Sequence, residues 1–274
     1  MTPTDPAVAA RAIHVRPGHR SAVTRTLPEE TAVAMVYGGT TQAVMMATPA
    51  DLEDFAWGFS LSEGIVTDAA QIARLEVLAH PKGAEVQMWL AEDRAEALAA
   101  RRRFMAGPVG CGLCGIDSLD QALRALPDLG GAGPVMDADA VAGATDALRG
   151  WQPLHDRTRA VHAAGFLIPG QGIVLAREDV GRHNALDKLI GAMARQGVDA
   201  GRGAFVLTSR VSTEMVQKCA MAGGAVIVAV SAPTAHALRL AEGAGITLAA
   251  FARGEGFDLF CHPERLRAEV SDVA

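Results

Sequence analysis

Apolar and polar positions change period several times along this 274-residue chain, and each change marks an element. Thr31–Tyr37 and residues 41–47 are β-like runs separated by Gly38-Gly39-Thr40, which predicts a hairpin. Thr48-Pro49-Ala50-Asp51 then reads as a helix start, with Thr48 as N-cap and Pro49 in the first turn. Leu52, Phe55 and Phe59 follow at helical spacing, and Gly64 ends the run. Residues 75–79 and 85–90 predict a second hairpin around Pro81-Lys82-Gly83. Residues 94–103 read as helix from composition and end in Arg101, Arg102 and Arg103, where cations suit the helix dipole. Residues 118–126 and 138–150 predict further helices. Between them, residues 127–134 are the richest run of Gly and Pro breakers.

The second half alternates regularly. Residues 160–168 and 172–176 predict a hairpin turning at Pro169-Gly170. Residues 181–196 predict a helix with Ala185, Leu186, Leu189, Ile190 and Met193 on one face. An apolar strand (203–208), a helix from Ser212 to about Ala222, a buried strand (225–230), a helix opened by Ser231-Ala232-Pro233-Thr234 and a strand (246–251) follow. Such alternation implies a layered α/β fold with part of its sheet parallel. Four regions result: a disordered lead (1–20), a small N-terminal α+β domain (21–100), a Cys-x-x-Cys loop and linker (101–135), and an α/β domain (136–274).

Composition narrows the function. Half the residues are apolar but only 4% are aromatic, so the core is aliphatic. A net charge of -6 argues against a general nucleic-acid or acidic-membrane binder. No apolar run is long enough for a transmembrane helix, and Met1 to Pro6 lack a secretory pattern. Four cysteines with one close pair suit a reducing cytoplasm, which is the expected location.

That close pair is Cys111 and Cys114, in Gly110-Cys111-Gly112-Leu113-Cys114-Gly115. Glycines give the segment conformational freedom and little to pack. A Cys-x-x-Cys pair can hold zinc, exchange dithiol for disulfide, or carry sulfur as a persulfide. Zinc wants four ligands, and the candidates to complete a site are Cys261 and His262. Cys219 falls within a predicted helix and reads as packing. A thioredoxin-like pair follows a strand and opens a helix, a setting this loop does not match.

A second cluster is Arg177-Glu178-Asp179-Val180-Gly181-Arg182-His183-Asn184-Ala185-Leu186-Asp187-Lys188. Arg182, His183, Asn184 and Lys188 stand near a predicted helix N-terminus, where cations oppose the dipole. An anionic ligand would justify them; a solvated helix face is the plain alternative. Ser209, Arg210 and Ser212 precede one helix, and Ser231 and Thr234 precede another. These are positions beyond strand C-termini where α/β sheets bind ligands, though capping explains each singly. Phe251-Ala252-Arg253-Gly254-Glu255-Gly256 is a Gly-rich loop able to wrap a nucleotide or simply to turn. His162-Ala163-Ala164 lacks the glutamate of a zinc deaminase, and the Cys pair precedes it rather than following.

Taken together, several stretches resemble the formate dehydrogenase accessory sulfurtransferases, the FdhD family. They are the Cys loop, His162-Ala163-Ala164, residues 177–188, Ser209-Arg210 with Glu214-Met215-Val216 and Lys218, Ser231-Ala232-Pro233-Thr234, and Gly245-Ile246-Thr247-Leu248. The resemblance implies a cytoplasmic homodimer that takes sulfur from a cysteine desulfurase. The sulfur passes to the Mo-bis(molybdopterin guanine dinucleotide) cofactor destined for formate dehydrogenase. It implies persulfide chemistry at Cys111, cofactor binding along Phe251 to Gly256, and a C-terminal domain resembling the cytidine deaminase fold. Arg182, His183, Ser209, Arg210, Ser212, Ser231 and Thr234 are the further donors expected to meet the cofactor. Two roles are open to Cys114: sharing the sulfur, or releasing it by forming a disulfide with Cys111. No structural metal and no nucleic-acid or membrane partner is expected. A zinc-stabilised, non-catalytic chaperone of a metalloenzyme is the competing reading, and a dithiol oxidoreductase the third.

Overall fold

The computed structural model describes residues 5–105, 125–254 and 256–267, with side chains for all of these but 99–105. Cys111, Cys114, Glu255 and most of the helix expected at 118–126 lie outside the described residues.

Strands β1 (Ala7–Arg16) and β2 (His19–Pro28) pair antiparallel as a separate two-stranded arm. From Ala7 onward this corrects the disordered lead expected for residues 1–20; residues 1–4 lie outside the described residues. The two strands turn at Pro17-Gly18, where Gly18 takes a φ of 77°. Adjacent apolar pairs such as Ala12-Ile13 and Ala22-Val23 break the two-residue period, which hides the strands from a hydrophobicity reading.

Strands β3 (Thr31–Tyr37) and β4 (Thr40–Ala47), helix α1 (Leu52–Ser62) and strands β5 (Ile72–His80) and β6 (Gly83–Leu90) form the next body. Its sheet order is β4-β3-β6-β5, with β3 and β6 parallel. Val33, Met35, Tyr37, Val86 and Met88 bury one sheet face against Phe55, Ala56 and Phe59 of α1. Helix α2 (Glu92–Met105) follows and adds Leu98 to this core. Thr48 is not the α1 cap. Asp51 holds that position at φ 52°, with no side-chain cap bond, because Thr48 is engaged elsewhere.

The larger body begins with β7 (Met136–Asp137), α3 (Ala138–Ala142) and α4 (Ala144–Arg149). One helix was expected over 138–150. Gly143, a poor helix former, ends α3 and caps α4 instead. Helix α5 (Pro153–Thr158) was not foreseen, although Pro153 at its first position is a start signal. Next come β8 (His162–Ile168), β9 (Gly172–Asp179), α6 (Arg182–Gln196), β10 (Ala204–Leu207) and α7 (Thr213–Met221). The chain continues through β11 (Val226–Ala229), α8 (Ala235–Gly243), β12 (Thr247–Arg253), β13 (Gly256–Cys261) and β14 (Leu266–Arg267), which pairs with β7.

Six of these strands form one mixed sheet in the order β13-β12-β11-β10-β8-β9. Helices α6, α7 and α8 cover one face through Leu186, Leu189, Met215, Val216, Ala237 and Ala241. Helices α3 and α4 cover the other through Val141, Ala144 and Leu148. The result is the layered α/β architecture expected. Among the described residues, no helix is long and apolar enough to cross a membrane.

The two bodies meet where α1 crosses α6. Gly58 and Gly191 stand at the crossing, and a Cβ on either would overlap the backbone of the opposite helix. Buried charge surrounds it. Arg177 and Arg195 both bind the Asp54 carboxylate, with nitrogen–oxygen distances of 2.7 and 2.6 Å. Lys218 donates to Asp187 at 2.9 Å and to Glu63 at 2.8 Å, and Ser62 donates to Asp187 at 2.6 Å. Burial alone would lower the Lys218 pKa, but the two carboxylates outweigh it and hold the ammonium charged.

Candidate functional site

Strand direction gathers the candidate residues. Strands β10, β11 and β12 are parallel, so their C-terminal ends share one edge of the sheet. Strand β8 runs antiparallel to β10, and β9 antiparallel to β8. The start of β8 and the end of β9 therefore reach the same edge. His162, Arg182, His183, Ser209, Arg210, Ser212, Ser231, Thr234 and Phe251 to Gly254 all follow from these ends. Six strands at about 4.8 Å spacing make a ledge about 24 Å long, suited to an elongated ligand.

The loops along this ledge are tied together. Val211 bridges Pro233, Val211 N–H donates to the Ala232 carbonyl, and Thr234 N–H donates to the Val211 carbonyl. The starts of α7 and α8 are thus held side by side. Thr208 locks onto Ala163 through both its hydroxyl and its amide.

Asp179 organises the start of α6. One oxygen accepts from Gly181 N–H at 2.8 Å and from Asn184 Nδ2 at 3.0 Å. The other accepts from Thr48 N–H at 3.0 Å and pairs with Lys188 Nζ at 2.6 Å. Lys188 also donates to the Thr48 carbonyl, and Asn184 to the Met46 carbonyl. Asp179 and Lys188 are both fully buried. Most of the charge in residues 177–188 therefore joins the two bodies. Neither a solvated helix face nor a ligand site describes Asn184 and Lys188; only Arg182 and His183 of that cluster remain for the ledge.

Two helix starts on the ledge lack side-chain caps. Gly181 has no side chain to give α6, and Ser212 makes no cap bond to α7. Arg182 Nε and Ser212 Oγ are buried yet have no hydrogen-bond partner among the described residues. A buried polar group without a partner is costly, and an anionic ligand would satisfy both atoms. His183 Nε2 lies 2.9 Å from Glu214 Oε2, out of line for a hydrogen bond but close enough for an ion pair whenever the imidazole carries a proton. His183, burial, Lys218 and Arg182 set the Glu214 pKa, with the net effect downward. Burial, Arg182 and His183 push the His162 imidazole down. Burial leads the shift at His162 and the His183 contact the one at Glu214, and Arg182 adds to both in the sense its positive charge requires.

Other expected donors are already engaged. Thr234 Oγ1 accepts from Ala237 N–H and caps α8. Ser209 Oγ donates to the Arg210 carbonyl at 3.0 Å, while the Arg210 side chain is exposed. At the end of β12, Phe251 takes a φ of 54° and is 48% exposed, with its ring 6.3 Å from that of Phe260. Ala252 is buried and its carbonyl accepts from Thr145 Oγ1. Arg253 Nε donates to the Val230 carbonyl at 3.2 Å, which ties this stretch to Ser231. Gly254 has a φ of 60°. Glu214 and Asp179 were missed as site residues. An acid two residues past an expected N-cap was the available signal for Glu214.

The candidate zinc partners have other bonds. Cys261 Sγ donates to the Ile246 carbonyl at 3.1 Å, and the His262 ring contacts Glu264 and the Glu242 carbonyl. Among the described residues, no three His, Cys, Asp or Glu side chains converge as metal ligands. Cys219 is fully buried and burial pushes its pKa up, as packing requires.

The FdhD/NarQ family model matches residues 28–267. A sulfur carrier protein FdhD from Agrobacterium fabrum is 51% identical over 252 residues, covering 92% of this chain and 93% of its own. Another, from Brucella abortus, is 55% identical over 242 residues, covering 88% and 90%. The crystal structure of a candidate formate dehydrogenase accessory protein from Desulfotalea psychrophila superposes with a TM-score of 0.76 at 26% identity. It covers 95% of this chain and 99% of its own. A chain that joins this ledge of uncapped helix starts to a Cys-x-x-Cys motif in its sequence thus belongs, over nearly its whole length, to the FdhD/NarQ family.

Proposed function

We propose that this protein carries sulfur from a cysteine desulfurase to the Mo-bis(molybdopterin guanine dinucleotide) cofactor of formate dehydrogenase. The Cys111 thiolate attacks the outer sulfur of the donor's persulfide, and the donor cysteine leaves as a thiolate. Cys111 then bears the persulfide. Attack by the Cys114 thiolate on Cys111 Sγ forms a disulfide and expels the outer sulfur as sulfide to the cofactor. An external dithiol restores the pair. These roles extend the sulfur-carrier naming of the relatives to this chain, and the reading takes the protein to act as a cytoplasmic homodimer.

The observation that carries the reading is the uncommitted donor set at the uncapped starts of α6 and α7. Arg182 and Ser212 offer it to phosphate, His183 and Arg210 flank it, and the Phe251 ring stands exposed along the same edge. The likeness to cytidine deaminases rests on the mixed sheet, with the helix starts at its ligand edge. Ala164 stands where deaminase chemistry wants a glutamate.

Mass spectrometry after incubation with a cysteine desulfurase and cysteine tests the transfer. A reductant-sensitive gain of about 32 Da on the Cys111 peptide is expected, absent in Cys111→Ala. Sulfur uptake by Cys111→Ala would overturn the relay. GDP serves as the probe of the ledge, and lack of saturable binding would remove the nucleotide site.

A further inference from the structure

Glu214 is out of character with the ledge around it. It stands in the first turn of α7, two residues past Ser212, and its side chain is 38% exposed. Its partner His183 belongs to the first turn of α6, so the carboxylate lies between the two uncapped helix starts. Ser212 Oγ and Arg182 Nε, the donors without a partner among the described residues, belong to the same two starts. The Glu214 pKa lies below the ordinary carboxylate value, with His183 the leading cause, so the group is an anion at neutral pH. A standing anion beside donors suited to phosphate weakens the hold on phosphate.

Helix chemistry accounts for only part of it. An acid in a first turn suits the helix dipole. A capping box would need the acid one position later, where Met215 stands. His183 faces one carboxylate oxygen, Oε2. A carboxylate offers about four lone-pair sites, so acceptors remain for a ligand. A ligand that brings phosphate to Ser212 and Arg182 compensates the anion only if it also presents donors. The 2-amino-4-oxopyrimidine edge does so, with a ring N–H beside an exocyclic amine, spaced for the two oxygens of one carboxylate. Guanine and pterin rings share this edge. Hypoxanthine lacks the amine, and adenine has an acceptor where the ring N–H would be.

We propose that Glu214 is the specificity-determining residue of the ledge, accepting hydrogen bonds from the ring N–H and the exocyclic amine of a 2-amino-4-oxopyrimidine ring. Arg182 and Ser212 supply affinity for phosphate, and Glu214 supplies the choice of base. Discrimination of this kind is strong because a ligand without the donors leaves a half-buried carboxylate unpaired. The inference rests on the nucleotide reading above and adds the group that selects the ring.

Calorimetric titration of the full chain with GDP, inosine diphosphate and ADP, without divalent cations, tests it. Inosine diphosphate differs from GDP only in lacking the amine. The wild type should bind GDP about tenfold or more tighter than inosine diphosphate, and ADP more weakly still. Glu214→Gln keeps the size of the side chain and should bring the two affinities to within about threefold of each other. Its affinity for inosine diphosphate should be unchanged or higher, because a negative charge beside the phosphates is gone, and that retained binding shows the ledge intact. Dihydroneopterin triphosphate carries the same edge on a pterin and separates the two sources. Weakened GDP binding in the variant assigns guanine, and weakened binding of the pterin alone assigns the pterin. Undiminished binding of both would overturn the inference and leave the nucleotide reading standing. An equal loss for GDP and inosine diphosphate would also overturn it, in favour of a cation bridging Glu214 and the phosphates. No saturable GDP binding to the wild type would overturn both readings.

Discussion

Gly58 lies so close to the Asp187 carbonyl that a Cβ would overlap the oxygen and come within 2.8 Å of the Gly191 amide. The two helices meet backbone to backbone, and neither can yield by rotating a side chain. Gly58→Ala should therefore destabilise the fold by about 3 kcal/mol or more, the upper end of overpacking costs. Gly131→Ala, where a Cβ meets nothing within 4 Å, is the control and should stay within about 0.5 kcal/mol. Urea unfolding of both variants checks the contrast.

The Asp179–Lys188 pair should behave asymmetrically. Lys188→Met strands a buried carboxylate and should cost about 3–5 kcal/mol. Adding Asp179→Asn removes the stranded charge and keeps one acceptor oxygen, enough for Gly181 and Asn184 on one side or for Thr48 on the other. The double variant should recover part of the loss, so the two changes will not add.

Ligand binding and stability should separate at the ledge. Among the described residues Ser212 Oγ is buried without a partner, so Ser212→Ala should leave the melting temperature unchanged or raise it. The same change should weaken GDP binding. Arg182→Gln removes a charged donor and should weaken it about 10–100-fold, the equivalent of about 1.5–3 kcal/mol. Calorimetric titration beside thermal unfolding distinguishes this outcome from simple loss of structure.

His162 supplies a pH signature. Its folded pKa lies below the ordinary value of 6.5 because burial, Arg182 and His183 disfavour the cation. Below 6.5 the unfolded chain takes up a proton that the folded chain resists, so stability falls as pH drops from there toward the folded value. His162→Gln should flatten that part of the stability curve. A bound phosphate should raise the His162 pKa, read by imidazole NMR titration.

The larger body was legible because its strands are short apolar runs with clear breakers between them. Strand direction then followed from helices filling the connections. The arm was not legible, since Ala9, Ala10 and Ala12 give little hydrophobic contrast with Arg11 and His14. The helix start at Arg182 was also readable, because cations there oppose the helix dipole, and the one at Ser212 because serine is a usual N-cap, although here it makes no cap bond. What the local sequence hid was the destination of Thr48, Asp54 and Lys188. Each looks like a cap or a surface charge locally, and only the crossing of α1 and α6 gives it a buried partner more than 100 residues away.

That crossing also governs how the gene can be divided. A fragment holding only the larger body would open the Gly191 face to water and leave Lys188 without the Thr48 carbonyl and Lys218 without Glu63. A fragment holding only the smaller body would leave Asp54 without both of its guanidinium partners. Neither half is expected to be a self-sufficient folding unit. Calorimetry of the intact chain should show one cooperative heat-absorption peak, and the two fragments should regain structure only when mixed.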